Sequence, residues 1–404
     1  MIFTIVNQPT RNKGDYAAFK SLVNLIKVEY PNATINCLFT TKDHDPLFNN
    51  VSEVNSIDSD LFSLWRISKI CLQFPFLFKI IALLPKYNKY ADVIKNSDVV
   101  VLAPGGLEIG LYQEWSVLWS LAFAHSYNVK YAIYSRSIGK FVNQTAKDRE
   151  FMKYAVKYLS HSQFNGLREE KSQEFANMLG LHYYPAIDVV YSNTPNNVLK
   201  SDLIQGIKNN FVIFVPSKFS NWHPDFNDKS QEVLDNIYKK IISQIVQSGK
   251  KVVMLPHAYG RGDIDDCHYF ESLMVSESKD SCIIVNDQVD TDEYQAIIKA
   301  ADFAISTRLH QAIFAINNHT PVICLSYEHK MEAMMKMLDL GEFSMNLSSI
   351  TDNQEKLQNL INQFIQSPTE SEGKFVTAQK KAFSIATSSF KNFINCIKNG
   401  SYLK

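Results

Sequence analysis

The stretch ADFAISTRLHQAIFAINNHTPVICLSYEHK, residues 301–330, carries the reading of the fold. FAIS and VICLSY are short runs, apolar but for Ser306 and Ser326, of the length of a strand buried on both faces. Between them, Leu309, Ala312, Ile313 and Ile316 recur at helical spacing. A strand, a helix and a second strand in this order form a right-handed parallel crossover. Arg308 and His310 interrupt the apolar run, and Glu328, His329 and Lys330 follow the next one.

The same alternation extends in both directions. Upstream within the same block, FVIFVP, KVVMLP and SCIIVN read as strands, and residues 229–247 and 292–301 as helices. Towards the N-terminus, residues 2–6, 34–39, 98–103 and 129–135 read as strands. Residues 16–30 and 165–181 read as helices, the latter stopped by Gly180. Residues 192–210 are polar and turn-rich and read as the linker. The sequence therefore predicts an α/β protein with two Rossmann-like domains facing a cleft, GT-B-like in arrangement. Its expected bounds are residues 1–195 for the N-terminal domain and 205–352 for the C-terminal domain. Residues 353–404 follow as a helical tail that packs back on the first domain.

Composition agrees. A chain of 404 residues, 46% hydrophobic and 20% charged, has the length for two or three domains and the apolar content for sizeable cores. Its 41 basic and 41 acidic residues balance, so nothing in the net charge points to a nucleic-acid partner. Six scattered cysteines without a C-x-x-C pair read as buried thiols of a reducing compartment. The N-terminus lacks the basic start and long apolar run of a signal peptide, so a cytoplasmic location is expected. Residues 65–86, WRISKICLQFPFLFKIIALLPK, are strongly apolar but interrupted by Lys69, Pro75 and Lys79. Two readings stay open for them. One is a helix pair in the core. The other is an amphipathic patch on the inner face of a membrane, with Arg66, Lys69, Lys79 and Lys86 facing lipid phosphates.

In open parallel sheets ligands bind beyond the carboxyl ends of the strands. The residues there are the loop RNKGD (11–15), Pro104-Gly105-Gly106, SRSIG (135–139), Pro216-Ser217-Lys218, Pro256-His257, TRLH (307–310) and YEHK (327–330). With Ser306 or Thr307 as cap, Arg308 and His310 fall in the first turn of a helix. Cations are disfavoured there by about 0.3–1 kcal/mol each, unless an anion binds. The alternative is that Arg308 pairs with a carboxylate such as Glu328 and His310 is a satisfied, partly buried histidine. His257 ends a buried strand and reads as structural or as a cleft residue. Gly105 and Gly106 form a tight turn or allow close approach to a ligand. Asp15 caps the helix from residue 16 or acts as acid or base. Arg168 pairs with Glu170 or with a carboxylate at the sheet edge. No P-loop, G-x-G-x-x-G, H-E-x-x-H or G-x-S-x-G occurs.

Several separated blocks resemble the polysaccharide pyruvyl transferase family: NKGDYAA (12–18), DVVVLAPGG (98–106), SIGK (137–140), LREEKSQEFANMLGL (167–181) and the stretch 301–330 with its R-L-H and Y-x-x-K. Lys140 departs from the family's usual Gly-Pro. The resemblance implies two GT-B-like Rossmann domains and transfer of pyruvate from phosphoenolpyruvate to sugar hydroxyls as a ketal, in surface polysaccharide or glycoconjugate assembly. It implies no cofactor or metal beyond the donor, and a glycan or lipid-linked sugar as acceptor. Gly14 belongs to its first block, and Arg308 and His310 to the block tied to donor binding and activity. The residues suit that chemistry on their own terms. Phosphoenolpyruvate needs several cations, which Arg308, Lys330 and Arg168 supply. Proton transfer needs groups such as His310 and His257, with Asp15 and Glu328 as carboxylates. The competing expectations are a GT-B-type glycosyltransferase using a nucleotide sugar, and a binding protein without activity.

Overall fold

The computed structural model describes residues 1–9, 12–40, 54–57, 65–106, 108–195, 198–200, 202–207, 210–220, 223, 226–257, 266–274, 280–285 and 289–399, with the backbone alone at 65–68, 202 and 203. Arg11 and residues 258–265, which belong to loops singled out in the sequence, lie outside this set, as does the Arg66 side chain.

The chain forms two compact units. The first comprises Met1–Arg11, Asp15–Asn193 and Phe383–Lys404, the second Asn12–Gly14 and Thr194–Ala382. In the first, the elements are β1 (Ile2–Gln8), α1 (Lys13–Glu29), β2 (Thr34–Phe39), β3 (Val54–Ile57), α2 (Trp65–Gln73), α3 (Leu77–Ile81), α4 (Asn88–Lys95), β4 (Val99–Leu102), α5 (Trp115–Ser126), β5 (Lys130–Arg136), α6 (Ala146–Ser160), β6 (Phe164–Leu167), α7 (Glu170–Met178) and β7 (Tyr184–Pro185). The second adds α8 (Asp202–Gln205), β8 (Phe211–Val215), α9 (Asp228–Gln247), β9 (Lys251–Met254), α10 (Asp266–Leu273), β10 (Cys282–Ile284), α11 (Thr291–Lys299), β11 (Phe303–Ser306), α12 (Leu309–Asn317), β12 (Val322–Ser326), α13 (His329–Met337), β13 (Ser344–Asn346) and α14 (Gln354–Gln366). The last helix, α15 (Glu372–Asn399), starts in the second unit and from Phe383 belongs to the first.

Each unit is built on one parallel sheet. The first sheet runs β3-β2-β1-β4-β5-β6-β7, the second β10-β9-β8-β11-β12-β13. Every strand pairing within them is parallel. The central strands VVVL, FVIFV and VICLS are buried at every position. Helices on both faces leave no solvated side, so these strands read as continuous apolar runs rather than alternating ones. In each sheet the chain reverses direction of growth beside its first strand, between β1 and β4 and between β8 and β11. Ligand sites of open sheets form at such points, beyond the carboxyl ends of the strands.

Several boundaries differ from the sequence reading. α1 begins at Lys13, three residues early, because Asn12 Oδ1 accepts the Gly14 N–H at 2.7 Å and starts the turn. Residues 165–181 are not one helix: FNGL is an interior strand, fully buried between β5 and β7, and α7 follows it. Its Asn and Gly are poor strand formers, and burial overrides them. Residues 65–86 form α2, α3 and turns. Leu72, Phe78 and Ile81 are buried, while Ile70, Phe74, Phe76, Ile80, Leu83 and Leu84 are exposed. None of the six cysteines is in a disulfide.

Candidate functional site

In the second unit, the residues after β9, β11 and β12 converge. Arg308 occupies the N-cap position of α12, in extended backbone, and makes no side-chain cap. Neither Ser306 nor Thr307 caps the helix, contrary to the sequence reading. Ser306 Oγ instead accepts from Arg308 N at 3.0 Å and donates to Arg308 O at 2.9 Å, which braces the strand-to-helix turn. Thr307 Oγ1 donates to Val215 O, tying β11 to β8. The contrast with α6, α9 and α11 is clear: these start on Thr145, Asn227 and Asp290, whose side chains accept a helix N–H. At α12 a guanidinium stands where a capping oxygen would be, which leaves the positive end of the helix dipole uncompensated by a side-chain cap.

The partner of Arg308 is Asp266, not Glu328. Arg308 Nη2 lies 3.0 Å from Asp266 Oδ1, with side-chain exposures of 16% and 5%. Asp266 Oδ2 also accepts the backbone N–H of His257 at 2.8 Å, so one carboxylate fixes both the guanidinium and the end of β9. Burial works against the charge on Arg308, but Asp266, Tyr327 and Tyr294 together outweigh it and hold the guanidinium above its ordinary pKa. Its Nε is buried and has no hydrogen-bond partner among the described residues. Glu328 takes Lys330 instead, at 2.8 Å. Glu328 is the N-cap residue of α13, and Lys330 sits in that helix's first turn.

His310 and His257 are near neighbours. Their rings are 6.1 Å apart and inclined by 20°. His257 is 1% exposed and His310 9%. Tyr294 places its hydroxyl 3.5 Å from His257 Nδ1 and 3.3 Å from Leu255 O. Burial, and then Arg308, His310 and Lys13, hold the His257 imidazole well below its ordinary pKa, so at neutral pH it is uncharged. Gly14 packs on the other histidine: a Cβ there would lie 2.1 Å from His310 Cγ. Lys13 donates through Nζ to Val289 O at 2.7 Å.

The first unit gathers a separate set. Asp15, in the first turn of α1, accepts the Gly106 N–H at 2.9 Å rather than capping the helix. Gly105 and Gly106 have φ of 78° and 69°, a backbone open chiefly to glycine. A Cβ on Gly105 would meet Asp15 Oδ1 at 2.4 Å, and one on Gly106 would meet Arg136 Nη1 at 3.1 Å. Arg136 ends β5, is 1% exposed, donates to Ala103 O at 2.9 Å and pairs with Glu114 at 3.1 Å. Burial raises the Glu114 carboxyl, Arg136 opposes this and Asp15 adds to it. Arg168 is held on three sides: Nη1 by Asp188 at 2.5 Å, Nε and Nη2 by Ser137 Oγ at 3.3 and 2.8 Å, with Glu169 at 3.7 Å. Of its two expected partners, Glu170 is not among these, whereas Asp188, just past the edge strand β7, is a carboxylate at the sheet edge. Ser137 and Ser172 in turn donate to Glu169 at 2.5 and 2.7 Å.

The sequence reading thus named Arg308, His310, His257, Lys330 and Glu328, which the structure places around the same strand ends. Asp15, Gly105 and Gly106 meet in the other unit. It did not single out Asp266, Glu114, Asp188, Glu169 or Arg136 as site residues, although Arg136 stood in the strand-end motif SRSIG. Asn7 was also missed. It sits at the register shift in β1 with φ of 56°, is 2% exposed, and neither atom of its amide has a hydrogen-bond partner among the described residues. A buried Asn directly after an apolar strand was the signal available.

Comparison with known proteins bears on both sets. A family model described as polysaccharide pyruvyl transferase matches residues 12–329. The amylovoran biosynthesis protein AmsJ of Erwinia amylovora is 23% identical over 379 residues, covering 87% of this chain and 89% of that protein. Among solved structures, Anabaena HepE in complex with UDP matches with a TM-score of 0.59 at 13% identity, covering 98% of this chain and 100% of that one. The S. aureus MnaA–UDP co-structure matches with a TM-score of 0.63 at 12% identity, over 99% and 98%. At such identities the likeness is one of fold, and the fold is the GT-B-like α/β type.

Proposed function

The chain belongs to the polysaccharide pyruvyl transferase family, and on that premise we propose that it moves pyruvate from phosphoenolpyruvate to sugar hydroxyls, as a ketal, in the assembly of a surface polysaccharide or glycoconjugate. The observation that carries this reading is Arg308. It is a guanidinium 16% exposed at a helix N-terminus without a side-chain cap, with its buried Nε–H unmatched among the described residues. An unmatched buried donor costs about 1–3 kcal/mol. A carboxylate or phosphate bound there meets that N–H and the positive end of the helix dipole together.

Phosphoenolpyruvate offers both anions. Two sugar oxygens bond to C2 of the enol, and the bond from C2 to the phosphate oxygen breaks. Of the two hydroxyl protons released, one balances protonation of the methylene carbon to methyl, and the other leaves with phosphate. Arg308 and Lys330 hold the donor's charge, with Glu328 orienting Lys330. His310, the more exposed of the two histidines, is the group for proton transfer. His257, uncharged and buried against it, positions that ring and accepts rather than donates a proton. Asp15, with the Gly105-Gly106 turn, is assigned to substrate binding and proton transfer, and Gly14 to the close approach that sets the His310 ring. Arg168 acts indirectly, because protein groups already engage its guanidinium. The chemistry as proposed draws on no further cofactor.

Thermal shift with phosphoenolpyruvate against a panel of nucleotide sugars tests the reading. A donor at 100 times its Kd stabilises by about 2.7 kcal/mol. For units of this size that raises Tm by roughly 5–11 °C. Stabilisation by nucleotide sugars alone overturns the proposal in favour of a nucleotide-sugar glycosyltransferase.

A further inference from the structure

Six of the thirteen large apolar side chains that stand exposed among the described residues fall between residues 70 and 84: Ile70, Phe74, Phe76, Ile80, Leu83 and Leu84. Phe76 is 62% exposed and Leu83 80%. Scattered single apolar residues are ordinary on a surface, but a cluster marks a place of contact. This cluster is anchored. Phe78, at its base, packs edge-on against Trp119 and Phe123 at 5.6 and 5.5 Å. Leu72 and Ile81 are buried beside it. The exposed side chains therefore project from a fixed platform.

Within residues 65–91 the charges have one sign. Residues 65–91 contain Arg66, Lys69, Lys79, Lys86 and Lys89 and no Asp or Glu. Lys69 is engaged by Glu150 at 3.3 Å and lies over the Trp115 ring at 4.6 Å, which ties α2 to α6. On α6, Arg149, Lys153 and Lys157 recur every fourth residue, all exposed. They line a groove together with Gln73 at the end of α2 and with Glu150, the one acid there, which pairs with Lys69. An apolar cluster flanked by cations on two helices has the composition of an interfacial membrane surface. Pairing with a second copy would set these like charges against one another, because the same patch meets itself across a two-fold axis.

We propose that this face docks on an anionic phospholipid bilayer. The apolar tips enter the boundary between headgroups and acyl chains, and Lys79, Lys86, Lys89 and the α6 cations meet lipid phosphates. No helix among the described residues is long and apolar enough to cross a membrane, so the contact is peripheral. The proposal does not depend on the donor assigned above, and its test does not use it.

Full-length protein is sedimented with phosphatidylcholine vesicles, with and without phosphatidylglycerol, at low and high salt. The expected result is binding to the mixed vesicles at low salt, weakened by salt and absent without the anionic lipid. Each cation removed weakens binding about fivefold, so Lys153→Gln with Lys157→Gln weakens it roughly 25-fold. Phe76→Ser with Leu83→Ser weakens it at least about tenfold, with Tm unchanged because both side chains are exposed. The proposal is overturned by wild-type protein that stays in solution with anionic vesicles at low salt. Equal binding by the Phe76/Leu83 variant also overturns it. So does concentration-dependent self-association that this variant abolishes, with no vesicle binding.

Discussion

Replacing Arg308 by Ala does more than remove a ligand contact, because Asp266, 5% exposed, then loses its ion-pair partner. Breaking a buried ion pair from one side costs about 3–5 kcal/mol. With Arg308 itself 16% exposed, the lower end applies, about 3 kcal/mol. For a unit of this size that lowers Tm by roughly 6–12 °C. Asp266→Asn removes the charge from the other side. It keeps an oxygen for the His257 N–H, so its cost is similar or smaller. In the double variant neither charge is stranded, and a coupling of about 2 kcal/mol is expected between the two positions. The donor adds a second axis. If Arg308 binds phosphoenolpyruvate, Arg308→Ala and the double variant lose the donor-dependent rise in Tm. Asp266→Asn enlarges it, since the guanidinium no longer shares its charge with an internal carboxylate. Differential scanning fluorimetry of all four proteins, with and without phosphoenolpyruvate, reads both quantities. The reasoning is refuted by a double variant that recovers stability and keeps the wild-type donor response, for then Arg308 is only half of a structural pair.

Two further outcomes follow from the same residues. The unfolded chain protonates His257 as pH falls through about 6.5, while the folded chain, which holds it well below that, does not. Stability present above that pH is therefore lost towards acid, by up to about 1.4 kcal/mol per pH unit. Denaturant melts of wild type and His257→Gln at neutral and mildly acid pH isolate this contribution, and an identical slope in the two would rule it out. Gly14→Ala puts a methyl 2.1 Å from His310 Cγ and 2.4 Å from its Cβ, so the ring must move. We expect a loss of about 1–3 kcal/mol and a fall in kcat larger than any change in KM; unchanged Tm and turnover would contradict the close approach.

Which parts of this were legible in the sequence follows from what parallel sheets do to side-chain patterns. VICLS and FVIFV are buried on both faces, so they stand out as unbroken apolar runs. FNGL, just as buried, does not, because Asn165 and Gly166 lack the side chains by which strands are recognised. The edge strands VNSI and SMN are short and partly polar and give little signal. At the site, Arg308 was visible as a charge intruding at a strand end. Its partner was not, since Asp266 lies 42 residues away at the start of another helix. Sequence spacing locates a residue relative to its own strand, whereas the choice between Asp266 and Glu328 is decided by how separate strand ends are brought together.

That same limit explains why Arg168 and Arg308 looked alike in sequence and differ in the structure. Both are arginines just past a strand, Arg168 buried and Arg308 largely so, and neighbouring groups hold both above their ordinary pKa against the effect of burial, Glu169 and Asp188 for the first, Asp266 with Tyr327 and Tyr294 for the second. The guanidinium has five N–H donors, so the question is how many the protein itself meets. Around Arg168, Asp188 and Ser137 take donors from Nε, Nη1 and Nη2, and Ser137 passes the network on to Glu169 and Ser172. That arginine is a brace between β5, β6 and the turn before α7. Around Arg308, Asp266 takes one N–H on Nη2, and Nε is left unmatched beside a helix start without a side-chain cap. A buried donor left open in this way favours an incoming anion by roughly what it costs the folded chain to leave it unmet. A raised pKa therefore does not separate the two arginines; the unmet donor count does, and it supports the ligand-binding role proposed for Arg308.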